Sequence, residues 1–186
     1  MKHFPLKEMI LAAIFAALTA VGAFLRIPGI GDVSFTLQVL FCFLSGLLLG
    51  PWWGAASQIV YVLLGLFGLP VFTSGGGFGS FASPSFGFVL GLIPAAVTVG
   101  LLVPKKPEKR NFWRLLAAQA VALAVLYLCG LPYLYIRLNG ALSVWKTIWT
   151  GCLVFLPYDT LKMVCASALA VRLYKTGLVG KETAAK

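Results

Sequence analysis

Residues 46–72 read GLLLGPWWGAASQIVYVLLGLFGLPVF, twenty-seven positions without a charged side chain. One pair interrupts the run: Gly50-Pro51, a combination that breaks a helix, since proline has no N–H to continue it. Trp52 and Trp53 follow at once, residues suited to the head-group level of a bilayer. The stretch reads as the abrupt turn between two membrane-spanning helices.

The rest of the chain agrees. Of 186 residues, 60% are hydrophobic and 11% charged, with a mean hydropathy of +0.96, whereas soluble domains run at about 25% charged and 45–50% apolar. Lipid is the solvent this composition fits, and the length permits about six spans of about 20 residues. The pattern predicts an all-α integral membrane protein, a single transmembrane domain over 1–186, with spans near 6–25, 36–50, 52–72, 85–103, 112–137 and 150–174. Residues 140–149 are expected as a short interfacial segment, because Trp145 and Trp149 flank Lys146 as belt residues do. Leu25-Arg26 follows no small-x-small cleavage pattern, so the first span reads as a retained helix. The cysteines, Cys42, Cys129, Cys152 and Cys165, have no CxxC spacing, and the single histidine is His3. They read as small apolar side chains, with no metal expected.

Lysine and arginine set the orientation. If both termini share a side, that side holds Lys2, Lys7, Lys105, Lys106, Lys109, Arg110, Arg114, Arg172, Lys175, Lys181 and Lys186. The opposite side holds Arg26, Arg137 and Lys146, and Lys162 lies inside the last span. Positive residues accumulate on the cytoplasmic side, so both termini are expected in the cytoplasm. Residues 73–84, TSGGGFGSFASP, then form an external, uncharged, Gly-rich loop. A net charge of +10 fits a basic rim beside anionic lipid and calls for no nucleic acid.

Polar groups at membrane depth are few and therefore informative. In FLPYDTLKMV, Asp159 and Lys162 stand at i and i+3, on one helical face. From a start near Thr150, Asp159 is about 13 Å inside the outer boundary. Pro157, just before, is expected to bend the helix around a cavity. The pair reads either as a self-satisfied lock on helix packing or as a ligand site. The second is preferred, because a buried ion pair is a poor source of stability. A carboxylate accepts amide or ureido N–H groups and an ammonium meets a carboxylate or carbonyl oxygen. In VSFTLQVLF, Thr36 and Gln38 can bond a ligand or a neighbouring helix, and Phe35 and Phe41 offer flat apolar surface. Ser57, Gln58, Tyr61 and Gln119 read as contacts between helices. In the first span Ala12 with Ala16, and Ala13 with Ala17, form small-xxx-small pairs that let another helix approach, either within the chain or on a partner.

Enzymatic chemistry has little to work with. There is no GxxxxGK[ST], so the Gly-rich loop is no phosphate cradle. One histidine allows no Ser-His-Asp set, and no HExxH occurs. Glu8, Asp32, Glu108, Asp159 and Glu182 form no paired carboxylates. No inverted repeat with broken helices marks a secondary transporter.

The chain resembles the BioY family, the biotin-specific substrate-binding (S) components of energy-coupling-factor (ECF) vitamin transporters. FTLQVLF at 35–41, the run at 46–72, the Gly-rich loop and FLPYDTLKMVCASALA at 155–170 carry the likeness in order along the chain. The resemblance implies an S-component-like bundle in the bacterial cytoplasmic membrane that captures biotin from outside. Partners supply the energy: a transmembrane coupling subunit and two cytoplasmic ABC-type ATPases. The S component itself uses no cofactor and hydrolyses no ATP. It implies that Asp159 and Lys162 meet biotin, that Phe35, Phe78, Phe86 and Tyr158 pack on its rings, and that Gln38 hydrogen-bonds it. Gly77 with Ser83 and Ser85 would close over it as a lid, and Ala12, Ala13, Ala16 and Ala17 would form the docking face for the coupling subunit. Where the family runs close to G-P-T-G-G-Y, this chain has SPSFGF, with Ser83, Ser85, Phe86 and Phe88 in place of Gly, Thr, Gly and Tyr. Biotin and a relative such as desthiobiotin both stay open, as do a stand-alone facilitator and a membrane interaction protein without transport.

Overall fold

A computed structural model of the chain describes residues 6–27, 34–104, 106–139 and 141–176. His3, Lys2, Asp32, Lys105, Lys181, Glu182 and Lys186, used above, lie outside the described residues. The first helix, α1 (Leu6–Phe24), buries a stripe of Ala12, Phe15, Ala16, Thr19, Gly22 and Ala23. Its other face is equally apolar and exposed, at Met9, Ile10, Ile14 and Val21. A helix apolar all round belongs in lipid and not at a water surface. Two short strands, Arg26–Ile27 and Phe35–Thr36, pair antiparallel and bring the chain into α2 (Gln38–Leu66). The sequence reading did not foresee them.

Helix α2 runs through the Gly50-Pro51 break, where Gly50 takes φ 80°, a left-handed value that only glycine adopts freely. In one straight helix Gln38 and Tyr61 would be about 34 Å apart at 1.5 Å per residue. Instead Gln38 Nε2 donates to the Tyr61 hydroxyl at 2.6 Å, and Gln58 Nε2 donates to Ser45 Oγ at 3.3 Å. The two arms, 38–49 and 51–66, therefore fold back on each other. A Cβ on Gly54 would fall 2.9 Å from the Cα of Gly46, so the arms touch backbone to backbone. Pro51 leaves the carbonyl of Leu47, four residues earlier, without its helical N–H, and the hydroxyl of Tyr174 donates to that carbonyl.

The second arm ends at Leu66, short of the expected 72. Phe72 bridges to Gly75, and the loop after it carries one 3-10 turn, Phe78–Ala82. Helix α3 (Phe86–Leu102) follows. Helix α4 (Phe112–Arg137) starts at Asn111, whose side chain accepts from the N–H of Arg114 at 2.9 Å. The short α5 (Val144–Ile148) runs through a π turn, Trp149–Leu153, toward α6 (Leu156–Lys175). Pro157 lies in the first turn of α6, where a missing N–H costs nothing. The irregular turn before α6 is thus the π segment, and Pro157 does not bend the helix as expected.

Helix α1 packs on α2, α2 on α3 and α3 on α4, while α6 closes the bundle against α2 and α4. Polar side chains tie these contacts: Gln119 Nε2 donates to Ser167 Oγ at 2.6 Å between α4 and α6, and Gln58 reaches Thr19 of α1 at 3.4 Å. Four helices, α1, α2, α4 and the continuous stretch 144–175, are long and apolar enough to cross a membrane, and α3 is a shorter apolar helix.

Candidate functional site: a cavity holding an ion pair

The starts of α2, α3 and α6, the middle of α4 and the first residue of the Gly-rich loop, Thr73, meet toward one end of the bundle. They line a half-open cavity of about 70 Å³. Thr36, Gln38 and Val39 line it from α2 and the strand before it. Ser85, Phe88, Val89 and Leu92 line it from α3 and its lead-in, and Leu126 and Tyr127 from α4. Gly151, Phe155, Asp159 and Lys162, with Ser34 and Thr73 from the connecting segments, complete the wall.

Asp159 and Lys162 stand on one face of α6, as their spacing predicts, with Nζ 2.6 Å from Oδ1 and both side chains 5% exposed. The other oxygen, Oδ2, accepts from the hydroxyl of Tyr127 at 2.6 Å. The ammonium also lies 4.2 Å from the centre of the Tyr158 ring, a cation–π contact. Tyr158 in turn packs edge-on against Phe35 at 5.3 Å, and Phe35 tilts onto Phe155 at 4.4 Å. The pair is neutral overall and walled by aromatics. The ammonium, with three donors, has a proton to spare, and the carboxylate has lone pairs beyond the two in use.

A second polar chain runs up one wall. Thr36 Oγ1 donates to Gln38 Oε1 at 2.9 Å, Gln38 Nε2 donates to the Tyr61 hydroxyl, and that hydroxyl donates to the carbonyl of Val71 at 3.1 Å. The network fixes which way the Gln38 amide points and ties it to the foot of the loop. Outside, three side chains hold the loop by its carbonyls. Tyr133 bonds Phe81 at 2.6 Å, Arg137 bonds Ala82 at 3.4 Å, and Arg26 bonds Thr73.

The remaining predicted residues separate. Phe78 is 70% exposed and stacks on Phe81 at 6.4 Å, away from the cavity. Phe86 is 1% exposed, wedged among Phe72, Phe81 and Tyr133, and belongs to the core. Gly77 takes φ 84° and gives its N–H to the carbonyl of Gly65 at 2.7 Å, so it anchors the loop to α2. Ser83 bonds Ser85 at 3.0 Å, and of the two only Ser85 lines the cavity. Ala12 and Ala16 are buried inside the bundle, whereas Ala13 and Ala17 face outward.

Sequence reasoning gave no role to Tyr127 and Phe155, and named Phe88 and Thr73 only as parts of SPSFGF and of the loop. Tyr127 carried a signal: between Gln119 and Tyr133 it is the one hydroxyl in an otherwise apolar stretch of α4. Among the described residues no cluster of His, Cys, Asp and Glu could hold a metal, and the four cysteines are unpaired thiols.

A protein of Lysinibacillus sphaericus described as "Probable biotin transporter BioY" is 41% identical over 175 residues, covering 90% of this chain and 87% of that one. The "Biotin transporter BioY" of Thermotoga maritima is 39% identical, covering 91% of this chain and 97% of that one. Among solved structures, the S-component for biotin from an ECF-type ABC transporter superposes with a TM-score of 0.83 at 27% identity, over 94% of each chain. The BioY family model matches residues 1–178. By fold, by sequence and by span, this chain belongs to the BioY family.

Proposed function

We propose that the chain is the membrane-embedded, biotin-binding S component of an ECF-type transporter. It is not an enzyme. The observation that carries the reading is the buried set Asp159–Lys162–Tyr127 at the wall of a cavity, in a bundle that matches an S-component for biotin. Without ligand the ion pair satisfies itself. Biotin brings a ureido group and a carboxylate, and either can exchange into it: Asp159 accepts ureido N–H groups, and Lys162 donates to the ureido oxygen or the carboxylate. Gln38, its amide held by Thr36 and Tyr61, offers a further N–H and lone pair. Phe88 and Phe155 supply the aromatic part of the apolar wall, with Phe35 and Tyr158 packed behind Phe155 and Lys162. Of the departures in SPSFGF, Ser85 and Phe88 line the cavity and would tune specificity, whereas Ser83 and Phe86 act behind them.

The fold-back of α2 supports counting its arms as two spans, six in all with α1, α3, α4 and α6. Lys7, Lys106, Lys109, Arg110, Arg114, Arg172 and Lys175 fall at the helix ends opposite the cavity, and Arg26, Arg137 and Lys146 at the cavity end. The positive-inside bias then sets both termini in the cytoplasm, in the bacterial cytoplasmic membrane, with the cavity facing out. At about 70 Å³ the cavity is below the ~300–1,000 Å³ of ordinary ligand sites, so it must widen to take biotin, with the Gly-rich loop moving aside and then closing over the ligand. Release inside falls to a coupling subunit and two ATPases, docked on the outward alanines Ala13 and Ala17.

Mass spectrometry of the small molecule released from denatured, detergent-purified protein tests the assignment. Biotin is expected in amounts near one per chain, and greatly reduced in Lys162→Ala. Purified protein that carries none and gives no heat on biotin titration refutes it.

A further inference from the structure

A second cavity, of about 260 Å³, lies between α4 and α5 and shares Tyr127 with the first. Leu128, Leu131 and Pro132 of α4 and Val144 and Ile148 of α5 form most of its wall, and no polar atom reaches its surface. It can satisfy neither a ureido group nor a peptide backbone, and a void so apolar does not hold ordered water. Its rim is open to the outside of the bundle, where Leu128 is 74% exposed. On α5 the lining residues share one face, which turns Trp145 and Trp149 outward as a belt. Lys146 stands exposed between them and, among the described residues, has no carboxylate partner.

We propose that this cleft takes one acyl chain of a phospholipid whose phosphate is met by Lys146. An apolar slot walled by a short helix that also carries an exposed lysine at a tryptophan belt asks for a ligand with a long hydrocarbon tail and an anionic head, reached by the lysine's long side chain. In a bilayer that molecule is a phospholipid. The chain would pack on the ring of Tyr127, whose hydroxyl holds Asp159, and so brace the ligand site from the lipid side. The lipid site stands whether or not the first cavity binds biotin.

The test uses the full chain in nanodiscs containing phosphatidylglycerol with a diazirine in one acyl chain, irradiated and then mapped by peptide mass spectrometry. Label is expected to concentrate on the α4 and α5 segments that line the cleft. Leu128→Trp, which fills the mouth, should remove most of that label and leave labelling elsewhere unchanged. Lys146→Gln should lower it about fivefold, the value of one lysine near an anionic surface. Both positions are exposed, and Val144→Trp replaces Leu128→Trp if the latter does not fold. Even labelling of every lipid-facing helix overturns the assignment. So does cleft labelling that neither substitution lowers.

Discussion

Replacing Lys162 alone should destabilise the protein far more than replacing the whole ion pair, while both changes weaken binding. Lys162→Met leaves Asp159, 5% exposed, with Tyr127 as its one remaining partner among the contacts seen. An uncompensated buried charge of this kind costs about 3–5 kcal/mol. For a chain of this size, at about 2–4 °C per kcal/mol, the unfolding temperature should drop by about 6–20 °C. The double variant Asp159→Asn with Lys162→Met removes both charges and keeps an acceptor for Tyr127. Neutral replacement of a buried pair is often without cost, so this protein should unfold within a few degrees of the wild type. Biotin affinity should nevertheless fall in both, by about 10- to 150-fold for each charged hydrogen bond lost at 1.5–3 kcal/mol. Tryptophan fluorescence during heating reads the first quantity, and titration calorimetry with biotin reads the second. A double variant that is stable and binds biotin with wild-type affinity would show that the pair is a packing device, and the site assignment would fail.

Three further outcomes follow from particular contacts. Tyr174→Phe strips the bond to the Leu47 carbonyl at the α2 turn; leaving that group unpaired should cost about 1–3 kcal/mol, measured as a lower unfolding temperature with biotin affinity unchanged. Tyr133→Phe releases Phe81 of the loop, and losing one bond of about 0.5–1.5 kcal/mol should speed biotin dissociation about 2- to 13-fold, read by chasing labelled biotin from nanodiscs. Ala13→Leu with Ala17→Leu, both outward-facing, should abolish co-purification of the coupling subunit and spare biotin binding; a complex that survives rules out this face.

The membrane class and the places of the helices were legible because an apolar run is a local signal. The i, i+3 spacing of Asp159 and Lys162 was legible for the same reason, since helical geometry alone puts both on one face. Tyr127 was not, because its partner is 32 residues away and only the packing of α4 on α6 brings them together. Gln38 and Tyr61 meet across a turn whose sharpness Gly50-Pro51 announced but whose register it did not. Around the loop the sequence misled. Phe78 and Phe86 look alike in a Gly/Ser-rich stretch, yet Phe78 opens a 3-10 turn and points outward, while Phe86 opens α3 and is buried in the core. Small-residue pairs were ambiguous on principle, as both faces of α1 carry them, and only burial separates Ala12 and Ala16 from Ala13 and Ala17.

The placing of both charges on one helix has a consequence for how the protein is made. A lone acidic or basic residue at the centre of a nascent span resists insertion by about 2.5–3.5 kcal/mol. Because Asp159 and Lys162 are three residues apart on α6, they can close on each other as soon as that turn forms, before any other helix is present. The translocon then meets a segment already neutralised from within. Moving either charge to a neighbouring helix could preserve the finished site, yet would send each span into the membrane with its charge unpaired.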